Sequence, residues 1–155
     1  MSDGILKMID LISIIGELML NGYSDAVDLK IGTEYTRIPD HFSAKSYKSD
    51  GEWRIIVNRK LMNSNLKVVS GMMAHELSHI IRMSKLSFYN QRKDLDLYRT
   101  SLYKDLDERN TDLDVILRGH GGELLSYKMF LLSTGVYIDE GLTINETKKL
   151  IRQKG

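Results

Sequence analysis

The sequence predicts an α+β fold on three observations. Apolar residues recur at helical spacing near the N-terminus, alternating stretches flanking a turn follow, and the second half carries helix periodicity with capping and stop signals. At 155 residues, a single domain spanning 1–155 is the simplest organisation, and it is long enough to bury a core. Apolar residues make up 42% and charged residues 28%, the balance of an ordinary globular chain. A net charge of +1 gives no global field toward nucleic acid or an anionic membrane, and the basic residues are dispersed without an aromatic platform. The chain has no cysteine, which removes disulfides, thiolate-bound zinc and thiol catalysis together.

The first predicted helix covers residues 3–20, with Ile5, Ile9, Ile12, Ile15 and Met19 at helical spacing and Asn21-Gly22 as its stop. Lys7, Asp10 and Glu17 interrupt its apolar run, which is short for a bilayer span and precedes no small-residue cleavage site. It therefore reads as an internal helix, and without a targeting signal the expected location is the cytoplasm. Residues 27–31 alternate apolar with polar and predict a strand; Ile38-Pro39-Asp40 belongs to a loop. A hairpin follows, with strands over 42–48 and 52–58 joined by Ser49-Asp50-Gly51. The return strand, just before the next helix, is expected either to pair with an extended peptide or to be an ordinary sheet strand.

The next helix, residues 66–83, contains His75-Glu76-Leu77-Ser78-His79, the pattern H-E-x-x-H. Residues four apart share a helix face, so both imidazoles can reach one metal ion while Glu76 stands beside a water at an open position. A chain of this length matches the pattern by accident roughly once in a few hundred sequences. A solvated helix face could carry the same residues, but Met72, Met73, Leu77, Ile80 and Ile81 make this segment apolar. Burying two His and a Glu is costly unless they are paired or bind metal.

Residues 84–101 read as a loop or poorly defined helix. Further helices are predicted over 102–117, ended by Gly119, Gly121 and Gly122, and over 123–132. Thr143-Ile144-Asn145-Glu146 forms a capping box opening a last helix through 153. A third metal ligand has to come from Asp105, Asp107, Glu108, Asp112, Asp114 or His120. Asp105, Glu108 and Asp112 share one phase of the 102–117 helix, opposite an apolar side of Leu102, Leu106, Leu113 and Leu117. Glu108 can bind the metal and Asp112 can accept the outer N–H of a ligating histidine. A solvated acidic stripe is the bland alternative.

With Glu108-Arg109-Asn110-Thr111-Asp112 following the first motif, the chain resembles the gluzincin metallopeptidases, in which H-E-x-x-H precedes a helix carrying E-x-x-x-D. The order of elements is similar too, and the size looks most like the archaeal minigluzincins. The resemblance covers about residues 53–132. It implies a zincin-like fold with one catalytic Zn2+ held by His75, His79 and Glu108, Glu76 as general base and acid, and Asp112 as partner of His75. Larger gluzincins add a His or Tyr near the substrate carbonyl; His120 and the tyrosines match that role by type, although His120 sits in a Gly-rich turn and reads equally as a cap or a solvated residue. The activity implied is metallopeptidase, with a peptide or unfolded protein as substrate, no nucleic acid and no membrane, and a homodimer left open. The alternatives are a zincin branch with His120 as third ligand and a latent, zymogen-like or zinc-stabilised regulatory module of the same fold. Peptide deformylase shares H-E-x-x-H but takes a cysteine as third ligand, which this chain lacks.

Overall fold

Backbone N–H groups in the first turn of a helix need acceptors, and several helices here begin where a side chain supplies one. The computed structural model describes residues 9–39, 42–86, 101–134 and 141–154. Asp10 accepts from Ile12 and Ser13 and opens α1 (Leu11–Leu20). Asn65 accepts from Lys67 and opens α2 (Leu66–Ser84). α3 (Ser101–Leu117) and α4 (Gly121–Ser133) follow, and α5 (Ile144–Lys154) starts at the expected capping box, Thr143 and Glu146 each bonding the other's backbone N–H. With these five helices the described residues form one small mixed sheet, so the architecture is α+β.

The sheet contains β1 (Ile31–Thr36), β2 (Ala44–Ser49) and β3 (Glu52–Asn58) in the order β1-β3-β2. β1 runs parallel to β3 and β2 antiparallel to it. Asp50 and Gly51, with φ of 52° and 80°, make the tight hairpin turn that two positive-φ residues allow. β3 is the central strand, bonded on both sides, so the expectation that it could take up an extended peptide is corrected: the edges belong to β1 and β2.

Trp53, Ile55 and Val57 of β3 pack with Met72, Met73, Leu77, Ile80 and Ile81 of α2, Val115 and Ile116 of α3 and Leu124 of α4 in one core. α2 and α4 approach so closely that a Cβ at Gly71 would collide with the Glu123 carbonyl. α1 contributes Leu11, Ile14, Ile15 and Leu18, whereas Ile12 faces solvent. Its predicted start lies outside the described residues, and the Asp10 cap sets the observed one. No strand forms over 27–30; Ser24–Ala26 is a 3₁₀ turn and β1 starts only at Ile31. The reason is Tyr23, fully buried with its hydroxyl on Ala74 O at 3.1 Å and Ser78 Oγ at 2.8 Å, which pulls this stretch onto α2 and leaves Val27 outside.

α3 overturns the expected orientation. Leu102, Leu106 and Leu117, read as its apolar side, are exposed, while Asp107, Thr111, Asp112, Val115 and Ile116 are buried. The loop or helix expected for 84–101 lies outside the described residues beyond Leu86 and before Ser101, and α2 itself continues through Ser84. Among the described residues no helix is long and apolar enough to cross a membrane.

Candidate metal centre

One turn of α2 separates His75 from His79, and their ring centroids lie 4.8 Å apart at a steep angle. α3 crosses this face and presents Glu108 between them. Glu108 Oε2 is 2.8 Å from His75 Nε2, and Oε1 is 3.2 Å from His79 Nε2. One donor atom from each of the three residues lies within 4.8 Å of the others, a group able to hold a metal ion. Ligands at roughly 2.1 Å from a tetrahedral ion stand roughly 3.4 Å from one another, so small adjustments of these side chains would seat one.

The outer nitrogens are also engaged. His75 Nδ1 is 2.8 Å from Asp112 Oδ1, so that carboxylate, 2% exposed, accepts the Nδ1 proton and leaves Nε2 toward Glu108. His79 Nδ1 has Asp107 Oδ2 and Thr111 Oγ1 each at 3.5 Å, and Asp107 Oδ1 is 2.6 Å from Arg82 Nη2. A single helix, α3, thus supplies the shared carboxylate and the outer partners of both rings.

The charges are arranged accordingly. Burial alone would lower the His75 pKa, but the Glu108 charge and the hydrogen bonds to Asp112 and Glu108 outweigh it and hold the imidazole well above its ordinary value. Burial would raise Glu108, yet His75 and His79 draw its carboxyl far below the usual carboxylate range. Asp112 follows the same pattern, with His75 and Lys128 overcoming its desolvation.

No family model matches this chain, and no curated protein and no solved structure is similar to it at a significant level. The chemistry is therefore carried by the geometry of its own residues.

Of the residues named from sequence, the structure brings together His75, His79, Glu108 and Asp112, with Glu76 half-buried beside them on α2. His120 is not brought there. It sits at the α3–α4 turn, hydrogen-bonded through Nε2 to the Asn21 carbonyl, with its ring 5.6 Å from that of Tyr23. Tyr23 bonds to Ala74 and Ser78, so His120 belongs with the support of a neighbouring side of α2. Two polar residues of α4 lie near the carboxylates, Lys128 and Tyr127. Burial holds the Tyr127 phenol above its ordinary range, the Ser43 hydrogen bond opposes this, and the charges of Glu76, Glu108 and Asp112 push it up further.

Two supporting roles are not legible in the sequence: that of Lys128, and that of Asp107, which stands there only as a candidate third ligand. Asp107 was one of several acids, and its signal was Arg82, one turn beyond His79 on α2 and so placed to need a carboxylate. Lys128 was a lone cation in the apolar run of α4; it is buried, with Nζ 2.8 Å from Asp112 Oδ2.

Proposed function

We propose that this protein is a zinc-dependent peptidase that hydrolyses peptide bonds at the His75–His79–Glu108 group. The observation that carries the proposal is the convergence of two turn-spaced imidazoles and one carboxylate from a second helix, with Glu76 adjacent on the first. Two nitrogens and one oxygen suit zinc, with a position left for water or substrate. When bound, the ion would supply a Lewis acid that acidifies water and polarises a carbonyl.

The remaining steps belong to the chain. His75 and His79 would hold the ion, their outer nitrogens facing Asp112 on the one side and Thr111 with the Asp107 carboxylate on the other. Glu76 takes the proton from the attacking water and delivers it to the leaving amine, so no covalent intermediate is needed. Tyr127, its pKa raised by burial and by nearby carboxylates, stays protonated at neutral pH and offers an O–H donor on the α4 side. It would fill the role that His120 and the tyrosines match by type in the sequence. An extended peptide substrate would align along β2, an edge strand whose approach, Ser43, meets Tyr127.

The test compares wild type with Glu76→Gln on casein and a quenched peptide, with a chelator control. Both should bind one zinc, and the variant should lose about 10²–10⁴-fold in turnover. Equal cleavage by the two proteins rejects the role of Glu76. Stoichiometric zinc with no cleavage by wild type would favour the regulatory-module reading instead.

A further inference from the structure

The buried Lys128 has no part in the chemistry above, yet it touches the residue that orients a metal ligand. Its side chain is 7% exposed, and Nζ donates to Asp112 Oδ2 at 2.8 Å and to the Leu142 carbonyl at 2.7 Å. Asp112 Oδ2 also accepts the Leu142 N–H at 3.0 Å, while Oδ1 faces His75 Nδ1 at 2.8 Å. The two oxygens therefore divide their work: one is tied to the ammonium and the backbone before α5, and the other serves the imidazole. Gly141 closes the remaining side, because a Cβ there would run into the Asp112 carboxylate.

We infer that Lys128 is a positioning residue for the metal centre, acting through Asp112 on His75. The inference rests on the zinc reading above. A buried carboxylate needs a counter-charge or a full set of donors to stay ionised and in place. Here a fixed cation supplies the charge, and its second bond, to Leu142, fixes where that cation stands. Asp112 is then held with Oδ1 toward Nδ1, the arrangement that keeps the proton on Nδ1 and turns Nε2 toward the ion. Removing the ammonium leaves Asp112 with one backbone N–H on Oδ2 and without that fixed charge, so the carboxylate is held less firmly toward His75 Nδ1.

The experiment titrates wild type, Lys128→Met, Asp112→Asn and the double variant with zinc against a chromophoric chelator. The visible spectrum of each with Co2+ and the urea midpoint of each in EDTA are recorded alongside. Lys128→Met should bind zinc about 10–100-fold more weakly and alter the cobalt spectrum. The double variant should bind no more weakly than Asp112→Asn alone, because both changes act through one carboxylate. Wild-type zinc affinity and an unchanged cobalt spectrum in Lys128→Met, even with a lowered urea midpoint, would show a structural ion pair only and overturn the inference. Failure of the wild type itself to take up zinc overturns the metal reading, and this inference with it.

If Lys128→Met does not fold, the wild type still decides. The ¹⁵N-resolved ammonium signal of Lys128 should shift when zinc is added, while that of Lys154, bonded to the Ile116 and Leu117 carbonyls, stays in place. An unmoved Lys128 signal overturns the inference.

Discussion

Helices α2 and α3 face each other across the His75–His79–Glu108 group and, ahead of Val115 and Ile116 at the end of α3, bury opposite kinds of side chain. α2 hides Met72, Met73, Leu77, Ile80 and Ile81 and leaves His75, Glu76 and His79 half-buried. α3 hides Asp107, Thr111 and Asp112, while Leu102, Leu106 and Leu117 stand 73%, 51% and 61% exposed. α2 is thus seated by area removed from water, which is strong but tolerant of small shifts. The first half of α3 is seated by hydrogen bonds and charge, weaker in sum but directional. A metal site needs both: a helix that stays folded and a facing helix that fixes two rings to within a fraction of an ångström.

The largest effect expected on the α3 side is that of Glu108→Ala. It removes the group that both Nε2 atoms face, so zinc affinity should fall by more than the ~10–100-fold that loss of an outer partner costs. Metal analysis after dialysis checks this, and an unchanged one-to-one ratio rejects Glu108 as a ligand. On the α2 side, Leu77→Ala should cost about 2–5 kcal/mol of stability, the range for a fully buried leucine. Leu106→Ala on α3 should stay within about 0.5 kcal/mol. Urea unfolding of both gives the contrast directly. Equal losses would mean that the leucine side of α3 is covered in solution, and the comparison between the helices would fail.

The same contrast explains what could be read in advance. α2 is legible because its apolar period and its H-E-x-x-H agree on one orientation; its Asn65 cap is a finding of the structure. The hairpin was legible for a similar reason, since Asp50-Gly51 supplies both positive-φ positions. For α3 the period points to the wrong inward side, although Glu108 and Asp112, the two acids the sequence singles out, do face the histidines. Its leucines recur at spacings of four and seven residues as a buried face would, and periodicity cannot tell that buried histidines opposite need carboxylates more than the core needs leucines. The 3₁₀ turn at Ser24–Ala26 was missed because Tyr23 reaches residues more than fifty positions away. His120 looked reactive by type, and only tertiary contact shows its ring bonded to Asn21.

Within α3 the two outer carboxylates are unequal, and that difference can be measured. Asp112 meets His75 at 2.8 Å, whereas Asp107 stands 3.5 Å from His79 and spends its other oxygen on Arg82. Asp107→Asn should therefore weaken zinc by about 10-fold, at the low end for outer partners and less than Asp112→Asn. Competition titration of the two variants orders them. A loss from Asp107→Asn equal to or above that from Asp112→Asn would show that His79, not His75, is the ring whose orientation limits binding.

The smallest expected effect concerns pH, and it separates an ionic seam from an apolar one. The folded His75 pKa lies above its unfolded value of about 6.5. Its pairing with Glu108 and Asp112 therefore stabilises the protein fully below that value and fades as pH rises through the raised one. Glu108 works in the other direction: its folded pKa is depressed, so its contribution is present above its unfolded value of about 4.3 and is lost as pH falls through the folded one. In EDTA the urea midpoint should consequently decline as pH climbs from about 6.5 toward 9. With zinc the sign reverses, because the ion takes the place of the His75 proton and binds more tightly as that proton becomes easier to remove. The two midpoint curves should diverge with rising pH. Curves that stay parallel would mean that α3 is held on α2 by packing alone, with the imidazole–carboxylate contacts contributing nothing to how the two helices meet.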